Sequence, residues 1–119
     1  MAQKVLLILN DAPYGSERSY NALRLALNLL KAKPAPKLSL FLVGDGTFCA
    51  KAGQATPEGY YNIERMLKGV AARGASVGVC GTCMDARGLK ESELAKGARR
   101  SSLDEVTKWT IEADKVLVF

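Results

Sequence analysis

Two rhythms of apolar and polar residues take turns along this chain. Lys4 to Asn10 is an almost unbroken apolar run, the pattern of a strand buried on both faces of a parallel sheet, and it is expected to be the central strand. Asn10 to Ser16 then supplies turn residues, with Ser16 expected to cap the helix that follows. From Glu17 to Lys33 the residues Tyr20, Leu23, Leu27 and Leu30 recur at helical spacing, while Arg18, Arg24, Asn28 and Lys31 take the other side. Pro34 and Pro36 end that helix. Leu38 to Val43 reads as a second strand, and a long surface loop from Asp45 to Gly59 follows, with one helical turn over Thr47 to Ala52. Loops of that length in compact domains are more often functional than idle.

The same alternation continues to the end of the chain. Tyr60, Ile63, Leu67, Val70 and Ala71 mark an amphipathic helix from Tyr60 to Arg73, closed by Gly74. Ser76 to Cys80 is the third strand, and a loop from Cys80 to Gly88 leaves it. Leu89 to Gly97 suggests a short helix, and Ala98-Arg99-Arg100 a short, polar fourth strand. Ser102-x-x-Glu105 has the form of a capping box and opens a helix through Ala113 with Leu103, Val106, Trp109 and Ala113 facing inward. Lys115 to Phe119 is the last strand. Strands alternating with helices predict one α/β domain over residues 1–119, a three-layer α/β/α sandwich on a mainly parallel sheet of about five strands. In such sheets ligands bind beyond the carboxyl ends of the strands. Loops at Asn10 to Ser16, Asp45 to Gly59 and Cys80 to Gly88 all leave those ends, so Tyr14, Cys49, Cys80, Cys83 and Arg87 are candidates for one crevice.

Composition narrows the chemistry. With 48% apolar and 24% charged residues in 119, the chain has the balance of an ordinary globular domain rather than a disordered one. No run approaches the roughly 18 apolar residues of a membrane span, and the expected compartment is the cytoplasm. Three cysteines, an odd number, exclude a complete disulfide framework and fit a reducing environment. The absence of histidine closes Ser/His and Cys/His nucleophile schemes and removes the commonest metal ligand. A net charge of +5 would suit RNA or an acidic partner, but Lys and Arg are scattered rather than blocked, which favours plain solubility over a nucleic-acid arm.

The concentration of reactive groups is Cys80-Gly81-Thr82-Cys83-Met84-Asp85-Ala86-Arg87-Gly88. Backbone amides of Gly81 and Thr82, together with Arg87, would hold Cys80 as a thiolate, which is both nucleophile and sulfur acceptor; Asp85 opposes this unless Arg87 neutralises it. Four readings of Cys80-x-x-Cys83 compete. A dithiol/disulfide switch is what the spacing usually suggests beside a β-α-β pattern, although no proline follows Pro57 to supply a cis-proline loop. Structural zinc lacks a fourth ligand. An inert buried pair and a persulfide carrier complete the set. Gly44-x-Gly46 invites comparison with a dinucleotide loop, but Cys49 stands at the third glycine position. No metal or cofactor is expected. Cys49 sits between Phe48 and Ala50, which favours burial over service as a third thiol, Tyr14 either lines the site or caps the core, and Arg99 and Arg100 are expected on a solvated surface.

Four blocks in order, Ala12 to Glu17, Gly59 to Leu67, Cys80 to Gly88 and Ala113 to Phe119, resemble the DsrE/DsrF-like family, most closely its YchN-like branch. The resemblance implies a small α/β/α sandwich assembled as a homo-oligomer, a trimer or hexamer. It also implies a sulfur-relay role in which a cysteine after the third strand, ahead of an Arg-Gly pair, accepts sulfane sulfur as a persulfide. The matching residues are Cys80 and Arg87-Gly88. Cys83 belongs to the YchN-like variant, so its role does not carry over. The expected function is therefore a sulfur carrier or sulfurtransferase-like protein serving sulfur donor and acceptor proteins. Cys80 and Cys83 would do the chemistry, and Tyr14, Cys49, Gly81, Thr82, Asp85 and Arg87 would form the surroundings. A redox dithiol protein and an oligomeric module binding RNA or a small anion are the alternatives.

Overall fold

The computed structural model describes residues 2–119. Five strands, β1 (Lys4–Leu9), β2 (Lys37–Leu42), β3 (Ser76–Cys80), β4 (Ala98–Ser101) and β5 (Lys115–Val118), form one sheet in the order β4-β3-β2-β1-β5, with every pairing parallel. The middle position belongs to β2, not to β1 as expected. The apolar run of β1 is explained equally well by its place between β2 and β5, because any interior strand is covered on both faces.

Helices α1 (Arg18–Leu29) and α2 (Ile63–Ala72) pack on one face, where Leu7, Leu9, Leu40, Leu42, Val77 and Val79 meet Ala22, Leu23, Ala26, Ile63, Leu67 and Val70. Helix α4 (Leu103–Glu112) covers the other, with Val106 and Trp109 against Leu6, Phe41 and Cys80. The sheet grows from β1 to β4 in one direction and the chain then returns to the far side of β1. With crossovers of one hand, that reversal carries α4 to the opposite face. The result is the expected α/β/α sandwich. Among the described residues no helix is long and apolar enough to cross a membrane.

Local chemistry corrects several boundaries. Glu17, not Ser16, is the residue before α1, and it makes no side-chain cap; the Ser16 hydroxyl instead donates to Asp11 at 2.6 Å while accepting weakly from the Arg18 amide at 3.4 Å. α2 begins three residues later than its apolar pattern suggested, because the Asn62 side chain accepts from the Arg65 amide at 3.0 Å and fixes the start there, leaving Tyr60 71% exposed. The expected loop after β2 tightens at once into a 3-10 segment, Gly44–Ala50. Gly46 makes this turn possible: a Cβ there would lie 2.2 Å from the Leu9 carbonyl oxygen. The helix expected over Leu89 to Gly97 is only a 3-10 turn at Glu91–Glu93, followed by an isolated bridge from Leu94 to Lys51. The Ser102 side chain caps α4 from the Glu105 amide as expected, but the Glu105 carboxylate turns to Arg99 and Ser101 instead of completing the box. Leu103, expected inside, is 76% exposed.

Candidate functional site

Where a loop was expected after β3, the chain enters a short helix, α3 (Gly81–Ala86), and Cys80 is its N-cap. The Cys-x-x-Cys spacing thereby takes the geometry of a serine or aspartate cap, in which the first side chain accepts from the backbone amide three residues on. The Cys83 amide points at Cys80 Sγ from 3.4 Å, the Thr82 hydroxyl lies 3.4 Å from the same sulfur, and Cys83 Sγ lies 2.6 Å from it. Cys80 is 9% exposed, against the α4 face of the sheet, while Cys83 is half-buried.

These contacts divide the labour between the thiols. Burial works to raise the Cys80 pKa, but the hydrogen bonds from the Cys83 thiol, the Thr82 hydroxyl and the Cys83 and Thr82 amides outweigh it and hold the group below its ordinary 9.0. Cys83 moves the other way. Burial, donation of its proton to Cys80 and the neighbouring negative charge raise it, against the opposing pull of the Gly44 amide and Arg87. The pair therefore favours one proton, on Cys83, and one anion, on Cys80.

Two ion pairs flank the sulfurs. Arg87 donates through Nε to Asp45 at 2.9 Å and through Nη1 to the Cys83 carbonyl at 3.3 Å, so it braces the second thiol's backbone and is itself neutralised by Asp45. Asp85, exposed on α3, is gripped by both Nη atoms of Arg100 at 2.9 Å, which holds its carboxyl below the usual range. Arg100 is the residue that sequence reasoning left on a solvated surface. It projects from β4, whose register sets it beside Val79, and its guanidinium lies across the start of α3: a Cβ on Gly81 would be 2.8 Å from its Cζ and Nε. The negative charge of Cys80 is among the groups it senses. Gly81 serves here by having no side chain, and the amides that face the anion are those of Thr82 and Cys83. No local pattern pointed to Arg100, because its place depends on β4 pairing with β3.

The other two candidates lie apart from the dithiol. Cys49 is fully buried in the core under α1 and α2, its Sγ 3.5 Å from the Asp11 carbonyl, and burial pushes the thiol up to about 11. The Tyr14 hydroxyl donates to Gln54 Oε1 at 2.6 Å and accepts from the Ile63 amide at 3.2 Å, so it is engaged by the entrance to α2 rather than by either sulfur. Gln54, which sequence reasoning missed, organises that region: its Nε2 donates to the carbonyls of Phe48, Cys49 and Lys51, and its amide donates to Glu64. Its part is to fix the 3-10 segment that carries Gly44 and Asp45 to Cys83 and Arg87. Among the described residues no three Cys, Asp or Glu side chains converge as a metal-ligating set.

Comparison with known proteins places this arrangement among relatives. The model of the DsrE/DsrF-like family matches residues 3–119. Protein YchN of Escherichia coli is 42% identical over 117 residues, 98% of this chain and 99% of the relative. An uncharacterized protein of Methanocaldococcus jannaschii is 39% identical over 116 residues, covering 98% of this chain and 99% of that protein. The crystal structure of the E. coli ychN protein superposes with a TM-score of 0.93 at 42% identity, over 98% of this chain and 99% of that one. With nearly the whole chain matched in both sequence and fold, this protein belongs to the DsrE/DsrF-like family, beside YchN.

Proposed function

We propose that this protein is a sulfur carrier of the sulfurtransferase type, in which Cys80 accepts sulfane sulfur as a persulfide and passes it to a partner. The observation that carries the reading is the donor set converging on Cys80 Sγ: the Cys83 thiol, the Thr82 hydroxyl and the Cys83 amide. A thiolate at Cys80 attacks the outer sulfur of a donor persulfide, R–S–SH; the new S–S bond forms as the old one breaks, and RS⁻ leaves. The terminal sulfur then moves to an acceptor thiolate by the same exchange. Alternatively Cys83, once deprotonated, attacks Cys80 Sγ, expels HS⁻ and leaves a Cys80–Cys83 disulfide that a dithiol reductant reopens.

Donor and acceptor are proteins in this reading, and the setting is a reducing cytoplasm. The carrier works as a homo-oligomer; the exposed Leu103, Ile111 and Val118 offer apolar surface for association. Treatment with polysulfide followed by mass spectrometry should add about 32 Da, one sulfur atom, at Cys80, and Cys80→Ser should abolish it. Addition confined to Cys49 or Cys83 refutes the assignment.

One observation favours a second reading. The two sulfurs lie 2.6 Å apart, and closure to a disulfide of about 2.05 Å needs only a sub-ångström movement. In a redox dithiol protein, oxidised glutathione would remove two hydrogens reversibly. In a carrier, sulfane donors would add sulfur instead. Mass spectrometry after each treatment separates the two.

A further inference from the structure

At the end of the sheet away from the thiols, about 13 Å along β3 by strand geometry, a groove of about 290 Å³ opens between the sheet and α4. Three lysines line it. Lys4 and Lys37 are the first residues of β1 and β2 and stand in direct register, and Lys108 reaches in from α4. Ser39 and Ser76, another in-register pair, supply hydroxyls, and Trp109 supplies an aromatic wall.

Charge makes the groove unusual. Two ammonium groups side by side on adjacent strands repel each other, and a third adds to the field. Among the described residues none of the three is ion-paired, although six other ion pairs form elsewhere. Among the described residues Glu112 is the one carboxylate lining the groove, and Asp114 stands at its edge, accepting from the Lys4 backbone amide at 2.8 Å, so three ammonium groups face two carboxylates and a local excess of one positive charge remains. Sequence scatter hid this cluster: positions 4, 37 and 108 come together only because β1 and β2 start level and α4 crosses their ends. An anion between the three ammonium groups would remove the repulsion.

We infer that this groove binds a small phosphate ester bearing a flat apolar group. Lysines act on phosphate as compact point charges, and three ammonium groups with two hydroxyls match its several oxygens. The planar part lies along Trp109, whose ring stands nearly perpendicular to that of Phe41 with ring centroids 6.4 Å apart. The volume falls at the small end of ligand sites, suiting a monoester and excluding a dinucleotide.

Trp109 is the chain's only tryptophan, and it lines this groove while packing toward Cys80 on its other side, so its fluorescence reads the groove once the lysine variants separate the two. Phenyl phosphate, titrated at constant ionic strength, should change its emission saturably and at lower concentration than inorganic phosphate. The double variant Lys37→Gln/Lys108→Gln should raise the half-saturating concentration at least tenfold. A linear response, the same response to chloride, or an unchanged titration in the double variant overturns the proposal. So does a double variant that alters sedimentation of a protein in which phenyl phosphate leaves the emission untouched, since the groove would then be a contact between copies. Should the double variant fold poorly, amide shifts in the unaltered protein decide. Saturable shifts at Ser39 and Ser76 support the site, and their absence at those residues refutes it.

Discussion

Replacing Cys83 by alanine is the most direct probe of the dithiol. The change removes the thiol 2.6 Å from Cys80 Sγ and leaves the amide at 3.4 Å in place, since that amide belongs to the backbone. A hydrogen bond to a charged acceptor is worth about 1.5 kcal/mol at the low end of its range, the end suited to a weak thiol donor. That is about a tenfold shift of the thiol–thiolate balance toward the protonated form. Each remaining thiolate becomes about threefold more nucleophilic, because reactivity follows basicity with a Brønsted slope of about 0.4–0.5. On the acid side of the profile, where little Cys80 is ionised, the net expectation is alkylation by iodoacetamide about threefold slower, with the midpoint of the pH–rate profile moved upward. Stopped-time alkylation read by mass spectrometry, in a Cys49→Ala background, measures it. Cys83→Ser, which keeps a donor, should stay close to the native profile. If the alanine and serine variants share one profile, or if the midpoint stays fixed in both, the proton on Cys83 does not hold the Cys80 anion and the proposed division of labour fails.

Two glycines make a contrasting pair. Gly46→Ala drives a Cβ to 2.2 Å from the backbone oxygen of Leu9 and should lower the urea midpoint severely, whereas Gly81→Ala meets only the flexible end of Arg100 and should fold normally while displacing the guanidinium from Asp85 and slowing Cys80 alkylation. A Gly46→Ala protein as stable as the native one would contradict the packing of the 3-10 segment. Gln54→Ala removes several bonds that pin that segment and should speed amide exchange over residues 44–54 with little change in the sheet; uniform exchange across both would refute its organising role. Burial would raise the Glu64 pKa, but the Gln54 amide and Lys68 hold it below the ordinary 4.5. The unfolded chain therefore takes up this proton first as pH falls, so the stabilisation is intact above about pH 4.5 and is lost on further acidification. Denaturation midpoints of Glu64→Gln should show a shallower decline between pH 5 and 3, and an unchanged slope would count against it.

The order and kind of elements were legible because each strand is a short apolar run and each long helix an amphipathic repeat, and both signals are local. So was the dithiol: Cys80 ends a β-branched stretch, and its spacing to Cys83 needs no long-range contact to be noticed. Where short segments failed to declare themselves, as in α3 or the turn at Glu91–Glu93, a few residues held too little pattern to outweigh their tertiary surroundings.

What the amino-acid order determined by itself is a family, a parallel α/β scaffold and a pair of thiols at the end of its third strand. Tertiary structure alone decided which charges and donors those thiols meet. Arg100 reaches α3 only because β4 lies beside β3, Cys49 is sealed away from Cys80 by the thickness of the sheet, and Lys4, Lys37 and Lys108 share a groove only because two strands start level beneath α4. Strand pairing is set by the summed burial of the whole core, so no window of sequence around any one of these residues contains the information that places it.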